Sequence, residues 1–327
     1  MPQAVTLSIW MKEIVSRLRG CWCLAARIPC VCLALLSTSG SYAANLEIIL
    51  GEESATYAEA ARVIAEDVSG RATVTIVRAD GIAGGTKRAH ASLVITLGLR
   101  ALQADLGSER IAPTIAILLP RQSYEGAVSS TPRASQFRSL TAVFLDQPPA
   151  RQLNLMRVVT PERTRIGVIS SAASDESLRR LEAAARDQRL IIRRESIAQS
   201  EDLHMALLRL LPETDAMLAL PDALVFNSST IQNILLTTYR AQQPLFGFSP
   251  SYTRAGAIAA VYSTPRQIAR QAADLVIRYL AGAPLPPPQY PRAFSVSVNA
   301  SVAHSLNIAV DSEQSITTRL QSMEREP

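Results

Sequence analysis

The sequence predicts an α/β protein of two lobes joined by a hinge, and two observations carry that expectation. Apolar runs of about four to eight residues alternate with longer segments of helical period, the mark of strands laid side by side through helical crossovers. The alternation breaks at Asp146-Gln147-Pro148-Pro149 and then starts again, so two similar strand-helix series are expected rather than one large sheet.

Residues 1–43 stand outside this pattern. Lys12, Arg17, Arg19 and Arg27 form a basic segment, Ile28 to Leu36 an apolar core, and Ser41-Tyr42-Ala43 offers small residues for a signal peptidase. Cleavage after Ala43 leaves 284 residues; Met1 and Met11 both remain open as the start. An uncleaved anchor is disfavoured, because a span needs about 20 apolar residues and the core is shorter. All four cysteines, Cys21, Cys23, Cys30 and Cys32, fall in this segment. The exported chain therefore has no disulfide, thiolate metal site or cysteine nucleophile. Neither Cys30 nor Cys32 sits where a lipoprotein signal places its cysteine. Removing four cations and Glu13 leaves 29 Lys and Arg against 27 Asp and Glu, so a formal charge of +5 falls to +2. No arginine cluster suggests a nucleic-acid footprint. The expectation is a periplasmic, cysteine-free protein.

In the first series, Leu46 to Leu50 reads as a strand leaving through Gly51-Glu52-Glu53-Ser54, with Tyr57, Ala61, Ile64 and Val68 at helical spacing after it. Thr73 to Val77 is β-branched and reads as a second strand. Gly81, Gly84, Gly85 and Thr86-Lys87 fail the phosphate-loop pattern, because the threonine precedes the lysine. Leu93 to Leu97 is a strand ending at Gly98, Leu99 to Leu106 a short helix, and Thr114 to Leu119 a strand ending at Pro120-Arg121. Gln122 to Ser139, with Gly126, Pro132 and five serines, reads as a polar surface loop. Leu140 to Leu145 is the fifth strand, and its two exit prolines exclude helix before Ala150.

In the second series, a helix around Leu153 to Val159 is stopped by Pro161, and Arg165 to Ile169 is a strand with exit loop Ser170 to Ser174. Asp175 to Gln188 buries Leu178, Leu181, Ala184 and Ala185; Leu190 to Arg194 is a strand and Glu201 to Leu211 a helix. Asp215 to Asp222 is the next strand and its exit, followed by a helix capped by Asn227 or Ser228. Pro244 to Phe248 and Gly256 to Tyr262 supply further strands. Thr264, Pro265 and Gln267 make a capping box for a helix whose stripe is Ile268, Ala272, Leu275, Val276 and Tyr279, closed by Gly282. Pro284 to Pro291, with five prolines, is a stiff linker, Phe294 to Val298 a last strand, and the tail from Asp311 is expected to fray.

Parallel sheets take ligands at the carboxyl ends of their strands, which points to the loops 220–227 and 248–253. Asp222 is placed either to hold a ligand amine or hydroxyl or to cap its own turn. Asn227 opens a helix and either binds an anion through free amides or merely caps. Tyr252 and Tyr262 are placed to stack on a flat ligand or to pack. Arg121 is placed to pair a carboxylate. Glu53 (or Glu52), Ser54, Gly98, Ser170, Ser171 and Ser249 complete the expected ligand-binding set from the strand exits. His90, His204 and His304 are dispersed without zinc spacing, and no serine has a base that the sequence sets beside it. No enzyme, metal or cofactor is expected; a periplasmic hydrolase is the disfavoured alternative, and it would need a cleft serine or carboxylate with a hydrogen-bonded base.

The run Asp146 to Leu153 leading to Pro161 and Arg165-Ile166-Gly167-Val168-Ile169 resembles the ABC transporter substrate-binding protein family with the type I periplasmic binding fold. So do Asp215-Ala216 to Leu220-Pro221-Asp222, Pro244-Leu245-Phe246, Ala255-Gly256-Ala257, and Phe294 to Asn299 with Val302-Ala303. The likeness spans Leu140 to Ile308. It implies two Rossmann-like lobes, each a mostly parallel sheet flanked by helices, hinged by three crossings. One lobe would be residues 44–145 plus about 259–284, the other 146–258 plus about 285–310, with 311–327 a flexible tail. It implies a monomer that closes on a small molecule and hands it to a membrane permease or, alternatively, a sensor. In it Asp222 takes the place of a cleft-facing aspartate, with Tyr252 and Arg254 in the loop before the strand that crosses back. Leu119-Pro120 stands where many members have Asp-Pro, so the usual ligand does not carry over.

Overall fold

The computed structural model describes residues 44–82, 91–108, 112–132 and 139–325. The expected signal, the cysteines, His90 and the Gly84 to Lys87 loop lie outside them.

The first lobe is a five-stranded parallel sheet, β1 (Ala44–Leu50), β2 (Ala72–Arg78), β3 (Leu93–Leu97), β4 (Thr114–Ile117) and β5 (Leu140–Val143), in the order β2-β1-β3-β4-β5. Alternation along the strands sorts its faces. Leu46 and Ile48 with Leu93, Ile95 and Leu97 pack against α1 (Ala55–Asp67) and α9 (Pro265–Leu280). On the other face Ala116 and Ala142 pack against α2 (Leu99–Leu106) and α3 (Arg121–Ser130).

The second sheet has six strands, β6 (Arg165–Ser170), β7 (Ile191–Ser196), β8 (Ala216–Leu218), β9 (Leu245–Gly247), β10 (Ala259–Tyr262) and β11 (Ser295–Val298), in the order β11-β10-β9-β8-β6-β7. All its pairs are parallel except β10 with β11. One face buries α4 (Pro149–Val159), α5 (Asp175–Asp187) and α11 (Glu313–Met323); the other buries α6 (Leu203–Leu210) and α7 (Ile231–Arg240). The short helices α8 (Pro250–Ala255) and α10 (Ala300–Ser305) cover the end near β10 and β11.

The lobes exchange helices. After β5 the chain leaves the first sheet, and α4 packs on the second; after β10 it returns, and α9 packs on the first. Its amphipathic stripe and the capping box of Thr264 and Gln267 form as the sequence predicts, and burying Ile268, Leu275 and Val276 contributes about 1.5–3 kcal/mol each. The proline-rich linker does not leave at once: Gln289 exchanges hydrogen bonds with Ala142 (2.9 Å) and Phe144 (3.0 Å) alongside β5. Only then does the chain cross to β11.

Several expectations are corrected. Gln122 to Ser139 is not wholly loop, because Tyr124 and Ala127 bury one side of α3 under Phe144. Helix α4 starts at Pro149, which fills a first-turn position where its missing N–H goes unneeded. Thr230, not Asn227 or Ser228, precedes α7. Part of the 248–253 loop is α8. Residues 259–262 belong to the second sheet, since β10 is buried between β9 and β11, while residues 285–290 stay with the first. The tail from Asp311 is not frayed: Ile316 and Leu320 of α11 are buried in the second core. No helix among the described residues is long and apolar enough to cross a membrane.

Candidate functional site

Three chain crossings join the lobes, and a single set of polar side chains ties them. Gln147 on the first crossing donates from Nε2 to Ser263 Oγ on the second at 2.9 Å, and Ser263 donates to the Ala293 carbonyl on the third at 2.7 Å. Arg151, in the first turn of α4, donates to Gln147 Oε1 at 2.7 Å, to the Pro291 carbonyl at 3.0 Å and to Glu324 Oε2 at 2.9 Å; its Nε also bonds Glu324. The guanidinium lies 4.1 Å over the Phe294 ring. Arg151 is 4% exposed, so its charge depends on these partners.

Beside the crossings is a cavity of about 540 Å³, within the range of small-molecule sites. It opens at the carboxyl ends of β4, β5, β8, β9 and β10, where Pro120, Leu145, Phe248, Pro250 and Tyr262 form most of its apolar wall. Asp146, Gln152 and Ser249 supply polar atoms. Asp146 is the only charged side chain in that wall among the described residues. Its Oδ2 accepts the Arg121 amide at the start of α3, the position where a helix favours an anion. Burial pushes this carboxyl above its ordinary value, against the pull of backbone hydrogen bonds and of the Arg121 and Arg180 charges.

An adjoining recess is bounded by Arg121, Arg180 and Tyr290. Arg121 Nε donates to Glu125 at 2.7 Å and its Nη1 to the Tyr290 hydroxyl at 3.2 Å, while Arg180 of α5 donates to the same Glu125 at 2.9 Å. Glu125 belongs to the first lobe and Arg180 to the second, so this contact spans the cleft. Burial works against the Glu125 charge, but hydrogen bonds from both arginines outweigh it and hold the carboxyl below its usual range. Burial likewise opposes the Arg121 charge and is outweighed by Glu125 and Tyr290.

Of the sequence-predicted site residues, Ser249 and Tyr262 border the cavity and Arg121 the recess. Asp222 is turned inward: it is 4% exposed, and its Oδ2 accepts the Ser171 amide (2.7 Å), the Ser171 hydroxyl (2.8 Å) and the Ser174 hydroxyl (2.5 Å). Its Oδ1 accepts the Leu224 amide at 3.0 Å. Burial would raise this carboxyl, yet the hydroxyl and amide donors win and hold it below its ordinary value. Ser171 is thereby spent on the same cluster. Ser170 Oγ is buried without a hydrogen-bond partner and borders a separate groove with Arg179 and Arg194. Asn227 closes its own turn, accepting from Ser229 and Thr230 and donating to the Ala223 carbonyl at 2.9 Å. Tyr252 packs on Phe248 with ring centroids 4.4 Å apart, and burial pushes its hydroxyl up to about 12.

In the first lobe Ser54 caps α1 by accepting the Tyr57 amide, and Glu53 is exposed in an ion pair with Arg78. Gly98 has φ +84°, and a Cβ there would lie 2.1 Å from the Tyr57 hydroxyl. The ring of Tyr57 thus covers the crevice between β1 and β3 where the strand order reverses. The corresponding reversal between β6 and β8 is closed by the Asp222 cluster. With both reversal points filled, the sizeable open volume walled by residues of both lobes lies beside the crossings.

Leu145, Asp146, Gln147 and Gln152 are among the cavity residues that site reasoning from sequence passed over, whereas Phe248 lies in a loop it pointed to without being singled out. A signal was present: Leu145-Asp146-Gln147 is a strand exit like the others, but two following prolines gave it the reading of a bare hinge. Neither His204 nor His304 borders this cavity, and no three His, Cys, Asp or Glu residues gather as a metal site among the described residues. The arrangement is suited to enclosing an uncharged or singly charged solute.

The family described as ABC transporter substrate binding protein matches residues 136–319. No curated protein matches the chain in sequence. Among solved structures, a ligand-free, open substrate binding protein with adhesive properties from Clostridium difficile is 13% identical, with a TM-score of 0.65 over 83% of this chain and 97% of that one. The ABC domain in complex with L-Trp from Streptococcus pneumonia is 14% identical, with a TM-score of 0.56 over 84% and 98%. A conserved domain protein from Vibrio cholerae is 18% identical, with a TM-score of 0.57 over 85% and 98%. These likenesses bear on the fold: two mostly parallel sheets flanked by helices, as in type I periplasmic binding proteins.

Proposed function

Since this chain belongs to the ABC transporter substrate binding protein family, we propose that it is the solute-binding component of an ABC-type uptake system, exported to the periplasm and released by cleavage after Ala43. The observation that supports this reading is the cavity of about 540 Å³ beside the three crossings, walled by strand exits of both lobes. A solute there touches both lobes only when they are closed, so its binding favours closure by its differential affinity. The closed form is then what a membrane permease receives. The protein acts as a monomeric binder rather than an enzyme. Ser249 and Tyr262, with Asp146 and Gln152, are the residues that meet the solute, and Asp222 acts by fixing the loops behind them.

A thermal-shift screen of the protein from Ala44 onward against small metabolites tests this. A solute at 100 times its dissociation constant stabilises by about 2.7 kcal/mol, which is readily seen. Silence across a broad panel of amino acids, amines, alcohols, nucleosides and sugars would overturn the solute-binding reading.

A further inference from the structure

Resting on that reading, the chemistry of the cavity wall limits what the solute is. Its apolar part is large: Pro120, Leu145, Phe248, Pro250 and Tyr262 come from both lobes and one crossing. Three of its polar side chains are spent on the protein itself. Gln147 uses Nε2 on Ser263 and Oε1 on Arg151, Ser263 donates to the Ala293 carbonyl, and Thr264 Oγ1 accepts the Gln267 amide. Asp146, Gln152, Ser249 and Tyr262 are left to meet a solute.

No anion receptor is open in this wall. The two arginines of the adjoining recess converge from opposite lobes on Glu125, at 2.7 Å and 2.9 Å. The start of α3 already holds the Asp146 carboxylate, and the start of α9 is closed by its own capping box. Among the described residues no arginine is in ion-pair contact with Asp146. A carboxylate entering here would face Asp146, and the nearby Arg121 and Arg180 are already engaged by Glu125, whereas an ammonium would find a carboxylate in a poorly solvated wall, where such a bond is strongest.

We propose that the solute taken by this cavity is an apolar compound with a single protonated amine directed at Asp146, and that carboxylates and amino-acid zwitterions are rejected. Gln152 and the Ser249 hydroxyl are placed to take the remaining polar atoms of such a solute.

The test is calorimetric titration of the exported chain with four probes that share a phenylethyl frame: 2-phenylethylamine, 2-phenylethanol, 3-phenylpropionate and phenylalanine. The amine should bind at least tenfold more tightly than the acid and the amino acid, the span of one hydrogen bond to a charged group. Asp146→Asn retains an oxygen for the Arg121 amide and should weaken the amine about tenfold or more while changing the alcohol less than threefold. Cooperative melting of the ligand-free variant at no lower a temperature than wild type shows that the fold is retained. Tighter binding of 3-phenylpropionate or phenylalanine, an amine indifferent to Asp146→Asn, or no binding by any of the four overturns the assignment of class. The solute-binding reading survives each of these results unless the broad metabolite panel is silent as well.

Discussion

Two aspartates at strand exits have opposite electrostatic fates, and the difference is decided by how many donors each meets. Asp222 accepts three donors on one oxygen and a backbone amide on the other, so its folded carboxyl titrates below the ordinary value. Its stabilising contribution is complete above the unfolded carboxylate value of about 3.9 and is lost as pH falls through the lowered folded value. Asp222→Ala removes the carboxylate acceptor of the Ser171 and Leu224 amides and of the Ser171 and Ser174 hydroxyls and should lower stability by about 3 kcal/mol in urea titration at neutral pH. Asp146 meets too few donors to offset burial, so its folded carboxyl is raised. Between the unfolded value of about 3.9 and the raised one, the folded state holds the proton more often, and stability falls as pH rises. Asp146→Asn should flatten that segment of the melting curve against pH, and an unaltered slope would contradict the assignment. Sequence marked Asp222 as a site aspartate and Asp146 only as part of a hinge; it could not show which had serines folded back upon it.

Elements were legible where a local rule was strong. The helix from Pro265 to Leu280 announced its capping box and its stripe, and the strands Leu93–Leu97 and Thr114–Ile117 announced themselves as apolar runs buried on both faces. Helix α3 was not legible, because only Tyr124 and Ala127 are buried in a serine-rich stretch and their partner Phe144 arrives from a distant strand. Helix α11 failed for a related reason: Ile316 and Leu320 are four residues apart, yet the core that receives them is built by the second sheet. The same helix carries Glu324 to Arg151, and that pairing was invisible in a reading that stopped the fold at Asp311. Removing one partner of a buried charge pair costs about 3–5 kcal/mol, and the lower end applies because Glu324 is 31% exposed. Glu324→Ala should therefore lower stability by about 3 kcal/mol. Since Arg151 also holds Gln147 and the Pro291 carbonyl, the variant should increase amide hydrogen exchange at the crossings more than in the first sheet. Uniform exchange throughout would show that the clasp acts on stability alone.

At the scale of the whole molecule, closure depends on what the lobes gain from each other besides the solute. Glu125 of the first lobe lies between Arg121 of its own lobe and Arg180 of the other, and Arg180 also reaches Glu176 at 3.1 Å. The cross-lobe pair is partly exposed, 38% for Glu125 and 22% for Arg180, so its worth is about 0.2–1 kcal/mol and is weakened by salt. A gap between open and closed lobes is itself only a few kcal/mol, so a bias of this size shifts the closed population several-fold. Glu125→Gln keeps the shape and removes the charge. At low ionic strength it should lower the closed fraction of ligand-free protein, read as a longer distance between fluorophores placed one on each lobe, and weaken solute binding by up to about fivefold. Raising the salt to about 1 M, where the screening length is about 3 Å, should bring wild type towards the variant. If the variant and wild type keep the same separation at both salt concentrations, Glu125 serves only to position Arg121, and the solute alone must supply the free energy of closure.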